Sequence, residues 1–287
     1  MKAIMIFLAV LLFPVASLLG QSEIQKYAGT AMPYPSIKEL PILNHEGMVP
    51  FYINHLGRHG ARFPTSGKAL EKVRNRLILA KQEKRLTAKG LELLATILQL
   101  SENFKDQWGK LSPIGEQEQK EIAERMLSRY PELFVDSARI EAIATYVPRC
   151  INSMDVFLSS MKKCDSSLVI RQSAGEQYNT LLRFFDLNKP YIHYKEKGDW
   201  IPLYESFIRD KITVTPVMKR IFLTLGQETE LESREFVMAL FSIAAILPDT
   251  GLPFDMKDLF RNKEWYNYWQ TQNLRQYMTK SLSLIHI

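Results

Sequence analysis

Histidine and cysteine, the side chains on which most metal sites and many nucleophilic sites are built, are scarce in this chain: five and two among 287 residues. Two cysteines, Cys150 and Cys164, cannot make a disulfide framework. One bridge or two free thiols both fit the sequence. Neither cysteine stands at ligand spacing from a histidine, so no zinc site is expected. Internal repeats and low-complexity tracts are also missing, which sets aside solenoids, collagen-like rods and disordered tails. Beyond the first twenty residues no apolar stretch is long enough to span a bilayer, and Phe236 to Leu247 has only the length of a buried helix. Acidic residues are outnumbered, 31 against 37 Lys and Arg, for a net charge of +6. That balance suits an anionic ligand. The basic residues are scattered, however, with no zinc-finger or RNP-like pattern, so a nucleic-acid partner is not expected.

What is present is an ordinary globular balance, 46% hydrophobic and 24% charged, enough for one sizeable core or a core with a cap. Residues 1–20 stand apart. A short positive start, Met1-Lys2, leads into an almost wholly apolar stretch from Ala3 to Leu19, and the chain turns polar after Gly20. This reads as a secretory signal peptide cut near Gly20, which predicts a periplasmic or secreted protein with no stable membrane anchor after cleavage. A retained anchor is the competing reading, and the stretch is short for it. The last six residues, Leu282 to Ile287, follow a helical-looking stretch without a stop signal. One codon choice for them spells a transposon adapter used in sequencing libraries, so 282–287 is expected to be an artefact and the gene to be cut at about Ser281. A short natural tail is the alternative.

Between these ends the pattern is α/β first and helical second. Four prolines, Pro33, Pro35, Pro41 and Pro50, make 21–50 an extended lead-in. Phe51 to Arg58 has strand-forming residues and ends between Gly57 and Gly60, so it predicts a strand running into a sharp loop. Helices are predicted over 68–84, 88–104 and from Ser112-Pro113 to Arg129, with Ser112 as N-cap. Ala138 to Val147 reads as a buried strand. A helix follows Pro148-Arg149, with Ile151, Met154, Leu158 and Met161 on one face. Leu168 to Arg171 predicts a further short strand. Helices are expected over roughly 175–185, 216–225, 231–247 and 264–280. The expected division is an α/β domain over 21–172 and a mainly helical cap over 173–281. Its sheet looks incomplete, with only two or three good strands.

The candidate chemistry sits in Arg58-His59-Gly60-Ala61-Arg62-Phe63-Pro64. A neutral imidazole is a competent nucleophile towards phosphorus, and guanidinium forks match phosphate oxygens. Arg58 and Arg62 flank His59 where a loop can turn both inward. Arg149 can add a third fork from a strand-to-helix junction, where free amides and the helix dipole also favour an anion. Clustered arginines disfavour imidazolium and so hold His59 unprotonated. Lys68 is a further candidate contact for an anion, with a surface role as its competing reading.

The run from Arg58 to Pro64 resembles the signature of the histidine acid phosphatases. Arg149 followed by Cys150-Ile151-Asn152-Ser153 resembles their distal arginine-plus-helix segment, and Leu111-Ser112-Pro113-Ile114-Gly115 resembles another landmark. Leu182-Arg183-Phe184-Phe185-Asp186 and Ile53-Asn54-His55-Leu56-Gly57 are similar to the multiple inositol polyphosphate phosphatases. The resemblance covers roughly 45–280. It implies a phosphoglycerate-mutase-like α/β domain with a helical cap, and a two-step hydrolysis of phytate or another inositol polyphosphate through a phosphohistidine on His59. It also implies a clamp of Arg58, Arg62 and Arg149, and no metal or organic cofactor. Broad or sugar-phosphate specificity, and a non-catalytic exported polyphosphate-binding protein, are the alternatives. One feature departs from the pattern. The family places a second histidine near the C-terminus, followed by Asp or Ala-Glu as proton donor. The histidines after Arg149 are His193, followed by Tyr194-Lys195, and His286, followed by Ile287, and neither fits. The polypeptide is therefore expected to be truncated and inactive or nearly so.

Overall fold

The computed structural model describes residues 27–35, 47–135 and 137–281. The expected leader (1–20) and the expected adapter tail (282–287) lie outside these residues. In chain order the elements are α1 (Lys68–Gln82), α2 (Ala88–Asn103), α3 (Pro113–Arg129), β1 (Arg139–Ala144), α4 (Pro148–Cys164), β2 (Val169–Ala174), the single turn α5 (Asn179–Leu182), α6 (Lys189–Lys197), α7 (Trp200–Lys211), α8 (Val214–Ile221), α9 (Glu230–Thr250) and α10 (Asn262–Gln276). Strands β1 and β2 pair in parallel, Arg139 opposite Val169 through Ala144 opposite Ala174. Helix α4 is the crossover that a parallel pair requires.

Helix starts are set by their caps. Thr87 and Ser112 accept from the N–H groups of Gly90 and Gly115 at 3.0 and 3.2 Å. Thr229 and Glu232 form a reciprocal capping box at the start of α9. The main core joins Val73 and Leu77 of α1, Ile97 and Leu100 of α2, Ile221 of α8, Phe236 and Leu240 of α9 and Trp265 of α10, all fully buried or nearly so. Each such side chain stabilises by about 1.5–3 kcal/mol relative to exposure. This core runs across the boundary expected at 172/173. A second cluster is small: Ala123, Met161 and Leu168, with Phe134, Ile140, Phe157 and Ile170 against it. It holds one face of the two-stranded sheet to α3 and α4.

Three expectations are corrected. Residues 51–58 form no strand. They run outside any ladder, with Phe51 94% and Leu56 85% exposed. Strand-forming composition supplies the side chains but not the partner whose amides a strand needs. The strand at 139–144 is not buried throughout, since among its six residues only Ala144 is. The helix expected over 175–185 is broken into two 3-10 turns around α5. The cysteines are free thiols. They lie near opposite ends of α4, about 20 Å apart at 1.5 Å per residue, which is far beyond disulfide reach. Among the described residues no helix is long and apolar enough to cross a membrane.

Candidate active site

The segment from Gly60 to Pro64 is pinned against the chain leading into α3. Ser112 donates its N–H to the Ala61 carbonyl at 3.0 Å, Phe63 N–H donates to Lys110 at 3.0 Å, and Gly109 N–H donates to Pro64 at 2.7 Å. Arg62 and Leu111 pair as an antiparallel bridge between these contacts. The two glycines of the facing motifs explain each other. A Cβ on Gly60 would run into the Gly115 backbone, with the Gly115 Cα at 2.7 Å, and a Cβ on Gly115 would meet the Ala61 amide nitrogen at 2.7 Å. Only residues without side chains allow this crossing.

Two buried side chains then fix the loop. Glu118, one turn into α3, accepts the Ala61 N–H through one carboxylate oxygen and the Tyr34 N–H through the other, both at 2.6 Å. Ser153 of α4 accepts the Gly60 N–H at 3.1 Å and donates to the Arg149 carbonyl at 2.8 Å. A single hydroxyl thus ties the His59 loop to the helix that carries Arg149. Gln119 adds a donor to the Arg58 carbonyl at 3.3 Å.

His59 Nδ1 lies 2.9 Å from the Gly60 carbonyl oxygen. A carbonyl only accepts, so Nδ1 carries the proton and the Nε2 lone pair is free. Burial, chiefly, and then the charges of Arg149, Arg58 and Arg62 lower the imidazole to about 4, with the Gly60 bond opposing. At neutral pH His59 is therefore an uncharged base, with no hydrogen-bond partner on Nε2 among the described residues. The three arginines named from sequence do converge on it. Arg62 donates to the Phe63 carbonyl at 3.0 Å, and Arg58 to the Thr30 carbonyl at 3.3 Å. The Nε atoms of Arg62 and Arg149 are buried with no hydrogen-bond partner among the described residues. Unpaired buried donors beside a neutral histidine suit an incoming oxyanion.

Asp249, at the end of α9, was not foreseen. It is 6% exposed, and its Oδ1 has no partner among the described residues. Its carbonyl oxygen accepts from the Ser112 hydroxyl, which locks α9 to the start of α3. Burial first, and then the Glu118 charge, raise its carboxyl to about 7, while Arg62 and Arg58 oppose. Glu118 and Ser153 were also missed as anchors. For Glu118 a signal existed: the buried stripe of α3 is Gly115, Glu118, Gln119 and Ala123, so polar residues hold positions where helical periodicity demands burial.

Lys68 opens α1 on an exposed position and is not among the charges that lower His59. His193 lies on α6 and lines a separate surface recess. A cavity of about 230 Å³ flanks the site. Its wall includes Arg62, Thr65, Trp108 and Ile243 but not His59. Among the described residues no three His, Cys, Asp or Glu side chains gather as a cation site needs. The Arg183–Asp186 ion pair lies beside Tyr146, with the Arg183 guanidinium 5.9 Å from that ring. The Leu182 to Asp186 landmark thus buttresses the β1–α4 junction from which Arg149 projects.

Comparison with known proteins gives a family and a fold. The family described as histidine phosphatase superfamily (branch 2) matches residues 52–283. Multiple inositol polyphosphate phosphatase 1 of Gallus gallus is 24% identical over 167 residues, which cover 58% of this chain and 35% of that protein. The chain thus spans about a third of the length of this relative. The crystal structure of a Bifidobacterium longum multiple inositol polyphosphate phosphatase, in complex with inositol hexasulfate, superposes with a TM-score of 0.65 at 14% identity. The match covers 88% of this chain and 70% of that one, and at this identity it speaks for the fold.

Proposed function

The chain belongs to branch 2 of the histidine phosphatase superfamily, and from that footing we propose that it takes the phosphoryl group of an inositol polyphosphate onto His59 and passes it to water. The observation that carries this reading is the neutral His59, with Nδ1 committed to Gly60 and Nε2 free, among three guanidiniums of which two have unpaired buried Nε donors. In the first step the Nε2 lone pair attacks phosphorus and the ester P–O bond breaks, leaving an alkoxide that takes up a proton. In the second, water attacks the phosphorus, the P–N bond breaks, and inorganic phosphate leaves. Arg58, Arg62 and Arg149 neutralise the charge on the equatorial oxygens throughout. The inositol polyphosphate class rests on the landmarks at 53–57 and 182–186 and on the names of the two relatives. The apolar leader supports the further reading that the protein is exported.

The proton donor is the weak point of this polypeptide. No second histidine followed by an acid stands among its described residues, so the proposal includes slow or negligible turnover of inositol phosphates by the chain as it is. General acid catalysis matters most for poor leaving groups. An aryl phosphate, whose phenolate leaves unaided, should therefore phosphorylate His59 far faster than inositol hexakisphosphate does. The test is an alkaline quench, which preserves phosphohistidine, followed by intact-mass measurement. Phosphorylation from the aryl ester that disappears in His59→Ala supports the reading. Phosphorylation that persists in His59→Ala, or none with either ester, refutes it.

A further inference from the structure

Two buried polar atoms near His59 have no hydrogen-bond partner among the described residues, and they are complementary: Nε of Arg62, a donor, and Oδ1 of Asp249, an acceptor. Contacts that use neither side chain bring the two residues together. The Asp249 carbonyl accepts from the Ser112 hydroxyl. Ser112 donates its N–H to the Ala61 carbonyl at 3.0 Å, and Leu111 pairs with Arg62. The approach continues past Asp249, since a Cβ on Gly251 would stand 3.2 Å from Ile114. The end of α9 thus lies on the start of α3, and the start of α3 lies on Ala61 and Arg62.

The other candidates for either half of this pair are committed elsewhere. Both carboxylate oxygens of Glu118 already accept, from Ala61 and Tyr34. Glu228 Oε2 is also buried without a partner, but that carboxylate belongs with Arg76 and Arg85. Arg149, whose Nε is likewise unpaired, sends its guanidinium to Gly109, where a Cβ would stand 3.7 Å from its Nη1. The charges agree with this placement. Burial and then Glu118 raise the Asp249 carboxyl, and Arg62 opposes them ahead of Arg58. Burial, Arg149 and Arg58 lower the Arg62 guanidinium, and Asp249 opposes them.

We propose that Asp249 is a positioning residue of the clamp: when an anion enters, Arg62 turns its Nε–H onto Asp249 Oδ1 and presents its remaining donors to the anion. The role rests on the clamp reading above and deepens it. In the free protein Arg149 and Arg58 repel the Arg62 guanidinium, and an anion among the three removes that repulsion. Nη1 of Arg62 already donates to the Phe63 carbonyl. With Nε on Asp249, two of the five N–H groups of a guanidinium are held by the protein and three face the phosphate oxygens. Oδ1 accepts whether the carboxyl is ionised or carries its proton on the other oxygen. The pairing satisfies two orphaned polar groups at once and fixes the plane of the fork before phosphoryl transfer.

The test follows the Arg62 Nε–H by nitrogen–proton correlation NMR on the full chain, assigned with Arg62→Lys, while inorganic sulfate is added at low ionic strength. Its signal should move downfield and its exchange with water should slow as sulfate binds. Asp249→Leu, similar in size but unable to accept, should abolish both changes and weaken sulfate binding about fivefold, the worth of one ordinary hydrogen bond. Asp249→Asn keeps an acceptor oxygen and should restore the signal and the affinity. The sign is diagnostic, because loss of a nearby negative charge would by itself tighten sulfate binding. In an Arg62→Ala background Asp249→Leu should cause no further loss. The Ser112 bond uses the Asp249 backbone carbonyl and survives these changes; melting curves check folding. Should Asp249→Leu not fold, the wild-type chain still decides, since the Asp249 carboxyl carbon must shift with the same sulfate dependence as the Arg62 Nε–H. The positioning role is overturned if the Arg62 signal ignores sulfate while other arginines respond, or if it responds equally in Asp249→Leu. Unweakened sulfate binding by Asp249→Leu also overturns it, as does an equal loss in the Arg62→Ala background. A wild-type chain in which no arginine responds to sulfate overturns the clamp reading itself, and this role with it.

Discussion

Replacing Glu118 by alanine tests whether the His59 loop is held from beneath. The carboxylate accepts two backbone N–H groups, from Ala61 and Tyr34, each at 2.6 Å. The two bonds are not equal in consequence. Ala61 is 8% exposed and Tyr34 48%, so water can replace Glu118 at Tyr34 but not at Ala61. An orphaned buried N–H costs about 1–3 kcal/mol, and a bond to a charged acceptor is worth about 1.5–3 kcal/mol. The expected loss is therefore about 2–3 kcal/mol, nearly all from Ala61, and within the reserve of a typical domain. A second sign follows from Asp249. Below about pH 7 Asp249 is protonated and feels little from Glu118; above it the two carboxylates repel. Removing Glu118 relieves that repulsion only in alkaline solution, returning ~1 kcal/mol. Urea denaturation followed by tryptophan fluorescence should show a larger loss near pH 5.5 than near pH 8.5. A loss under about 0.5 kcal/mol near pH 5.5 would refute the anchoring role, since it would lie below the cost of one orphaned N–H. Equal losses at the two pH values would refute the coupling to Asp249.

The other predictions concern the same loop. Gly115→Ala places a methyl group 2.7 Å from the Ala61 nitrogen, forcing the crossing apart at a cost of about 3 kcal/mol or more. Its thermal melt should fall sharply and any folded fraction should fail to phosphorylate His59, whereas an unchanged melt and normal phosphorylation would show that the crossing has slack. The lowered imidazole makes His59 nucleophilic above about pH 4, so the rate of phosphoenzyme formation from an aryl phosphate should be flat around neutrality and fall about tenfold per unit below that point. In Arg149→Ala one repelling charge is gone and the imidazole holds its proton more readily, so the acid limb should move to higher pH while phosphate affinity drops. A limb that stays in place or moves down contradicts the charge assignment.

The grouping of His59 with its three arginines and the Ser112 cap were legible in the sequence, because each belongs to a contiguous run whose local geometry is set within a few residues. Helices α1 to α4 were legible for the same reason. What escaped reading depends on distant partners. Glu118 finds Ala61 across 57 positions, and the Asp249 carbonyl finds Ser112 across 137; neither pairing leaves a local mark beyond an acid where a helix should bury something apolar. Phe51 to Arg58 has the composition of a strand, but a strand is decided by its neighbour, and none of the described residues pairs with it. Helices α6 and α7 were not among the expected helices; Pro190 and Pro202 sit in their first turns, where proline is tolerated.

In the proposed reaction, the charges that would draw phosphate to this site cannot be what keeps His59 reactive at the moment of attack. In the free protein Arg149, Arg58 and Arg62 all disfavour the imidazolium. Once a phosphate dianion lies among them, its charge offsets theirs, and it also favours a proton on the neighbouring ring. If the arginines were the main cause, binding the substrate would protonate its own nucleophile. Burial is instead the largest cause, and an anion that displaces water from the site deepens it. The bond from Nδ1 to the Gly60 carbonyl then acts in the opposite sense where it is needed. It does little to discourage a neutral ring from attacking, and it stabilises the positive charge that the imidazole acquires as the N–P bond forms. That bond exists only because Gly60 is pressed onto Gly115 and its N–H is held by Ser153, so the reactivity of the histidine is set by how the loop is packed as much as by the cations that surround it.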